Sequence, residues 1–169
     1  MNTGAIRILG VDPGLRNTGW GVIEVTGSRL AFVGCGSIET DAATAIAGRL
    51  AYIHRALAKL IEDERPDEGA VEETFVNRDP QSALKLGQAR GVALAALSLG
   101  GLPVAEYAAN LIKKTVVGAG HAEKSQIQMM VRRILPGCET GAADAADALA
   151  VAICHVHLAL TRRAWAAFR

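Results

Sequence analysis

Apolar residues form short continuous runs at the start of the chain, and this pattern predicts β-strands. The run over residues 6–11 ends at Asp12-Pro13-Gly14, which is typical of a strand that is buried on both faces and stopped by a turn. Two further strand-like runs, residues 20–25 and 30–38, are joined by the short turn-forming segment Thr26-Gly27-Ser28. The opening of the chain therefore predicts a three-stranded antiparallel meander.

Helical periodicity dominates the remainder of the chain. Apolar residues recur at steps of three and four over residues 43–64, and Pro66 ends this helix. Further helices are predicted at residues 80–99, 108–116, 122–135 and 142–162, with strands at about 68–73 and 102–106. The resulting order β-β-β-α-β-α-β-α-α-α predicts an α/β fold with a mixed five-stranded sheet flanked by helices, which resembles the ribonuclease H-like arrangement.

Composition favours one globular domain. The chain has 169 residues, of which 50% are hydrophobic and 21% charged, so we expect a single domain over residues 1–169 with a short tail at about 162–169. Its longest apolar stretches are interrupted and no signal-peptide pattern opens the chain, so we expect a cytoplasmic protein without a membrane span. Three widely spaced cysteines predict reduced thiols rather than disulfides or a zinc site.

Charge is segregated along the chain, although the net charge of +1 by itself does not indicate a nucleic-acid partner. Acidic residues concentrate in the segment 62–73, and basic residues concentrate in the segment 113–133. A basic face of this kind can attract a polyanion, but a solvated helix surface explains the same pattern equally well.

Two acids in an apolar helix are the most informative candidate residues. Every other residue over 142–153 is apolar, and the spacing of three places Asp144 and Asp147 on one helix face. An unpaired carboxylate in a protein core costs several kcal/mol, so a cation should meet this pair, and a metal ion is the first candidate. Capping of the helix start by Asp144 and pairing with Lys or Arg remain open alternatives.

Two more acids lie at predicted strands. Asp12 ends the first strand, where it is also an ordinary turn residue, and Glu72 and Glu73 should point to opposite faces of another strand. Carboxylate ligands without a suitably spaced His or Cys favour Mg²⁺ or Mn²⁺ over zinc. Two such ions about 3.5–4 Å apart are the known arrangement for phosphodiester hydrolysis.

Several segments together resemble the RuvC family of bacterial Holliday-junction resolvases over essentially the whole chain. They are Gly10-Val11-Asp12-Pro13-Gly14, Thr18-Gly19-Trp20-Gly21, Val71-Glu72-Glu73-Thr74-Phe75, residues 82–91, Lys114-Thr115-Val116-Val117-Gly118, Ala122-Glu123-Lys124-Ser125-Gln126 and residues 143–150. By resemblance, the catalytic and metal-binding acids are Asp12, Glu72, Asp144 and Asp147. The family pattern thus selects Glu72 rather than Glu73.

The same resemblance assigns DNA contacts. It implies phosphate contacts for Lys113 and Lys124 and base stacking at the junction centre for Phe75, and the loop residue Arg78 is a further candidate. Asp79 departs from the neutral or amide residue expected there, and an acid beside Arg78 could reshape this DNA contact.

A four-way junction has approximate two-fold symmetry, so the resemblance implies a homodimer that cuts two opposing strands during recombination and repair. It further implies Mg²⁺ as cofactor, with two ions per site and Mn²⁺ as a substitute, and RuvA and RuvB as partners. The competing classes are an ATP-binding protein of the actin and sugar-kinase type, a nuclease for another nucleic acid such as ribosomal RNA, and a junction-binding module without catalysis.

Overall fold

The computed structural model describes residues 4–73, 79–138 and 143–166, with side chains described up to residue 159. Its five-stranded sheet has the order β3-β2-β1-β4-β5. Strands β1 (Ile6–Asp12), β2 (Asn17–Thr26) and β3 (Arg29–Glu39) form the antiparallel meander, whereas β4 (Glu68–Glu73) and β5 (Val104–Ala108) run parallel to β1. This confirms the predicted mixed sheet and its ribonuclease H-like arrangement.

Five helices flank the sheet in the described ranges: α1 (Ile46–Glu64), α2 (Pro80–Leu99), α3 (Ala109–Val117), α4 (Lys124–Ile134) and α5 (Ala143–Ala166). Strand β5 begins two residues later than predicted because Gly101, with a φ of 81°, belongs to the preceding turn and Pro103 has no N–H group to donate to the sheet. Helix α5 continues to Ala166, past the predicted end at 162, because no Gly or Pro follows there to stop it.

Apolar side chains form two cores, one on each face of the sheet. Helices α3, α4 and α5 cover one face, and helices α1 and α2 cover the other. Along β1 the side chains alternate, so that Ile8 packs on the α5 side while Leu9 and Val11 pack on the α1 and α2 side. The same alternation directs Asp12 toward α5.

Glycines let α5 approach the sheet unusually closely. Gly10 of β1 pairs with Gly21 of β2, and a Cβ atom at Gly10 would lie 2.2 Å from the backbone oxygen of Ala148. A Cβ atom at Gly19 would lie 2.1 Å from the backbone oxygen of Asp144. The backbone of α5 therefore lies directly on β1 and β2, which is possible only where the sheet has no side chains.

The structure also bears on the expectations for the cysteines and for membrane-spanning helices. All three cysteines are free thiols, as predicted, with Cys138 and Cys154 buried. Within the described ranges, no helix combines the length and the apolar character that crossing a membrane requires.

Candidate active site

Asp12 and Glu72 are brought together by the parallel pairing of β1 and β4. Asp12 is the last residue of β1, and the register pairs Val11 with Val71, so that Glu72 lies beside Asp12 at the carboxyl ends of the two strands. In β4, Ala70 packs on the α5 side and Val71 on the opposite side. Alternation therefore places Glu72, two residues after Ala70, on the same side as Asp12 and sends Glu73 away.

Helix α5 supplies the other two acids. From residue 145 to 156 every side chain except Asp147 is buried, which confirms the predicted apolar helix. Asp12, Asp144 and Asp147 each offer an oxygen atom within 4.8 Å of the others. Glu72 lines a pocket of about 270 Å³ together with Asp12 and Asp147, so all four predicted acids lie at one site.

The clustered carboxylates strongly affect one another's pKa values in this pocket. Burial and, after it, the nearby charges of Glu72, Asp147 and Asp144 raise the pKa of Asp12 to about 8, although the charge of Lys124 lowers it. Burial, followed by the charge of Asp147, raises the pKa of Glu72 to about 7. The four carboxylates oppose one another's ionisation, and a multivalent cation would relieve that repulsion.

Two lysines border the acids. Lys124, the first residue of α4, places its Nζ atom 3.2 Å from Oδ2 of Asp147. Lys113 of α3 lines the same pocket, and its charge opposes the rise in the pKa of Glu72. The lysine-pairing alternative is therefore realised for Asp147. Pairing with lysine does not compensate the charge of the whole cluster, because the pKa values of Asp12 and Glu72 stay raised in the presence of both lysines.

The capping alternative is also realised in part, because Asp144 lies in the first turn of α5, where the helix dipole favours an acid. The amide of Asn17, at the start of β2, donates a hydrogen bond from Nδ2 to Oδ2 of Asp144 over 3.2 Å. No sequence pattern pointed to Asn17, and Gly10 and Gly19 stood out only as members of the family's motifs. Their contacts depend on where α5 packs, so no local signal marks them.

The proposed DNA-contacting residues Phe75 and Arg78 lie outside the described residues. Asp79 is described, and it caps α2 by accepting hydrogen bonds from the backbone N–H groups of Gln81 and Ser82 at 3.1 and 3.2 Å. A hydrogen bond from the Ser82 hydroxyl contributes most to lowering the pKa of Asp79, and the two backbone hydrogen bonds lower it further. Asp79, which departs from the expected neutral or amide residue, therefore stabilises the start of α2 as its N-cap.

Donor chemistry identifies the cations that suit the pocket. The cluster offers carboxylate oxygens, and among the described residues no His or Cys belongs to it. Oxygen donors select hard cations such as Mg²⁺ and Mn²⁺. Acids that bind such ions beside lysines that can bind a phosphate form an arrangement suited to hydrolysis of a phosphodiester.

Comparison with known proteins agrees with this geometry. The family model described as "Crossover junction endodeoxyribonuclease RuvC" matches residues 8–155. A protein of that name from Methylocella silvestris is 67% identical over 162 residues, which cover 96% of this chain and 92% of the relative. Another from Rhodopseudomonas palustris strain BisA53 is 64% identical, covering 92% of this chain and 90% of the relative.

Solved structures extend the likeness to three dimensions. The structure of T. thermophilus RuvC in complex with a Holliday junction substrate has a TM-score of 0.84 and 33% identity, covering 91% of this chain and 94% of that one. The yeast mitochondrial Holliday junction resolvase, at 13% identity and a TM-score of 0.68 over 97% of this chain and 86% of its own, shares the fold. The chain therefore belongs to the RuvC family of crossover junction endodeoxyribonucleases.

Proposed function

We propose that this chain resolves four-way Holliday junctions by metal-dependent hydrolysis of phosphodiester bonds in two opposing strands. Residues 1–169 act as one nuclease domain, which works on the DNA of the bacterial cytoplasm during recombination and repair. The observation that carries the proposal is the carboxylate cluster of Asp12, Glu72 and Asp147 in one pocket with two lysines, and with Asp144 at hydrogen-bonding distance from Asn17.

The four acids would hold Mg²⁺, with two ions per site and Mn²⁺ as a substitute. When bound, the ions would supply Lewis acidity to the phosphate and increase the acidity of water. Asp12 and Glu72, at the strand ends, form the inner side of the site, and Asp144 and Asp147 close it from α5. Lys113 and Lys124 line the same pocket, where their ammonium groups would hold the phosphate of the strand to be cut.

Residues 74–78 connect the strand that carries Glu72 to the capped start of α2. In the sequence, Phe75 follows Glu73, the last residue of β4, by only two positions. This closeness to Glu72 along the chain supports a role for Phe75 in stacking on an unpaired base beside the cut. Arg78 adjoins the Asp79 cap and would contact the DNA backbone.

A homodimer would match the two-fold symmetry of the junction with two equivalent sites. The outer face of α2 supports this proposal. Leu84 and Leu99 have 69% and 78% of their surface exposed, and a Cβ atom added at Gly87 or Gly91 would meet nothing within 4 Å. Such a face of leucines and glycines allows close packing of two helices. The branch-migration proteins RuvA and RuvB are proposed as partners from family membership.

Cleavage and binding of one synthetic four-way junction test the proposal side by side. We expect Asp12→Asn, Glu72→Gln, Asp144→Asn and Asp147→Asn each to abolish cutting while junction binding persists, because the acids act on the reacting phosphate. Glu73→Gln is the matched control, since alternation directs this neighbouring acid to the other face of β4.

Substrate choice is tested with linear duplex and an RNA–DNA hybrid, each with Mg²⁺ and with chelator. We expect paired, symmetric cuts in the junction that require Mg²⁺, and little cutting of the other substrates. Equal cutting of linear duplex would refute the resolvase assignment, and undiminished cutting in excess chelator would refute the metal requirement. Full activity in one of the four acid variants would remove that residue from the site.

A further inference from the structure

One polar contact at the site has no place in the family pattern described above. Asn17, the first residue of β2, donates from Nδ2 to Oδ2 of Asp144. Elsewhere in the described part of the chain, no side chain donates a hydrogen bond to Asp144, whereas Asp147 has Lys124 as its partner. We propose that Asn17 is a positioning residue that holds the Asp144 carboxylate in the orientation required for metal binding. This inference rests on the proposed metal site.

Asn17 can position another group because its own backbone is held firmly. The buried Thr18 hydroxyl donates to the Gly14 carbonyl over 2.7 Å, which closes the turn between β1 and β2. The backbone N–H of Thr40 donates to the Arg16 carbonyl over 2.9 Å, which ties the same turn to the end of β3. These bonds fix the turn that precedes Asn17 to β2 and to the end of β3.

Asp144, in contrast to Asn17, lies at a helix terminus. It is the second residue of α5, and its side chain is only partly buried. Strand β2 restrains this residue at two points. The absence of a side chain at Gly19 lets the backbone oxygen of Asp144 pack against the strand, and the amide of Asn17 fixes one carboxylate oxygen. The two restraints together determine both where the carboxylate lies and how it is turned.

A neutral amide is well suited to this task. A lysine in the same place would orient the carboxylate but would also neutralise it and repel an incoming cation. The amide N–H occupies one lone pair of one oxygen, and it leaves the remaining lone pairs and the negative charge available to a metal ion. Partners that orient metal ligands in this way typically contribute about 10–100-fold to metal affinity.

Metal binding by the DNA-free protein is the decisive measurement, because it does not depend on cleavage. We expect Asn17→Leu, which keeps the approximate size and removes the donor, to weaken Mn²⁺ affinity in calorimetry by about 10-fold. Asn17→His, measured at pH 8 where the neutral ring can still donate, should restore most of that loss. Thr26→Leu is the matched control, since it places leucine at the exposed opposite end of the same strand and should leave Mn²⁺ affinity unchanged.

Cleavage provides the second measurement. We expect the Mg²⁺ concentration that gives half-maximal junction cutting to rise about 10-fold in Asn17→Leu, while the rate at saturating Mg²⁺ largely recovers. Thermal unfolding of the metal-free protein should hardly change, because Asn17 is exposed and packs against little. A shift in metal dependence without a shift in stability is what distinguishes positioning from a structural role.

Two results would overturn the inference while leaving the proposed function intact. In one, Asn17→Leu binds Mn²⁺ as tightly as the unmodified chain, although Asp144→Asn binds it less well. In the other, Asn17→Leu weakens junction binding at unchanged Mn²⁺ affinity, which would make Asn17 a DNA contact. Failure of the metal site itself is separately visible, because Asp144→Asn and Asp147→Asn would then bind Mn²⁺ no differently from the unmodified chain.

Discussion

Gly10→Ala tests whether the close approach of α5 to the sheet builds the active site. Gly10 lies two residues before Asp12 in β1, beneath the N-terminal half of α5. An alanine Cβ at this position would lie 2.2 Å from the backbone oxygen of Ala148 and 2.8 Å from the backbone nitrogen of Ala152. Relaxed contacts between carbon and oxygen are about 3.3–3.6 Å. Helix and strand must therefore separate by roughly 1 Å.

The cost of this separation follows from the atoms involved. Overpacking a well-packed core typically costs about 1–3 kcal/mol, and backbone atoms of a buried helix cannot rotate aside as a flexible side chain can. Replacing glycine by alanine in a strand recovers roughly 0.5–1 kcal/mol of conformational entropy. We expect a net loss of about 2 kcal/mol in the free energy of unfolding.

The effect on cleavage should exceed the effect on stability. Asp144 and Asp147 move with α5, whereas Asp12 and Glu72 stay with the sheet, so the separation opens the carboxylate cluster. A displacement of about 1 Å at reacting groups can cost on the order of 100-fold in rate. We therefore expect the folded variant to bind the junction normally and to cut it about 100-fold more slowly at saturating Mg²⁺.

Urea unfolding and single-turnover junction cleavage measure the two effects. Gly34→Ala is the control, because its Cβ would lie 3.5 Å from the Trp20 ring, an ordinary van der Waals contact. The control should keep both stability and cleavage. If Gly10→Ala matched the unmodified chain in both measurements, α5 would not lie against β1 as the structure has it, and the geometric account of the site would fall.

Two further predictions concern single acids. Asp12 has a folded-state pKa of about 8 against an ordinary value of 3.8, so the folded metal-free protein retains a proton that the unfolded chain releases. The free energy of unfolding of the protein should therefore fall as the pH rises from about 4 to about 8, by at most roughly 6 kcal/mol. In urea titrations, Asp12→Asn or saturating Mg²⁺ should flatten this dependence on pH. An equal slope in Asp12→Asn would contradict the assigned pKa. Asp79→Ala removes the cap of α2 and should lower the temperature of thermal unfolding, whereas Asp63→Ala, which removes an exposed acid of α1, should lower it less. Equal losses would refute the capping role.

Much of the fold follows from neighbours along the chain. Apolar runs and helical repeats predicted, in order, the ten elements found in the described ranges, because strand and helix periods are local properties. Element ends were less certain, as α5 shows by continuing past residue 162. The pair of Asp144 and Asp147 was also predictable, since their spacing places both on one face of a helix that is otherwise apolar.

The elements, their order and one pair of acids that need a cation thus follow from local sequence patterns. Which other groups join that pair depends on how the segments pack. Parallel pairing of β1 and β4 places Glu72 rather than Glu73 beside Asp12, and the contact of Asn17 with Asp144 spans 127 positions of the chain. Local patterns indicate which residues of a segment are buried, whereas a site is formed by contacts between segments. In this protein those contacts form only when α5 packs on the glycines of the sheet.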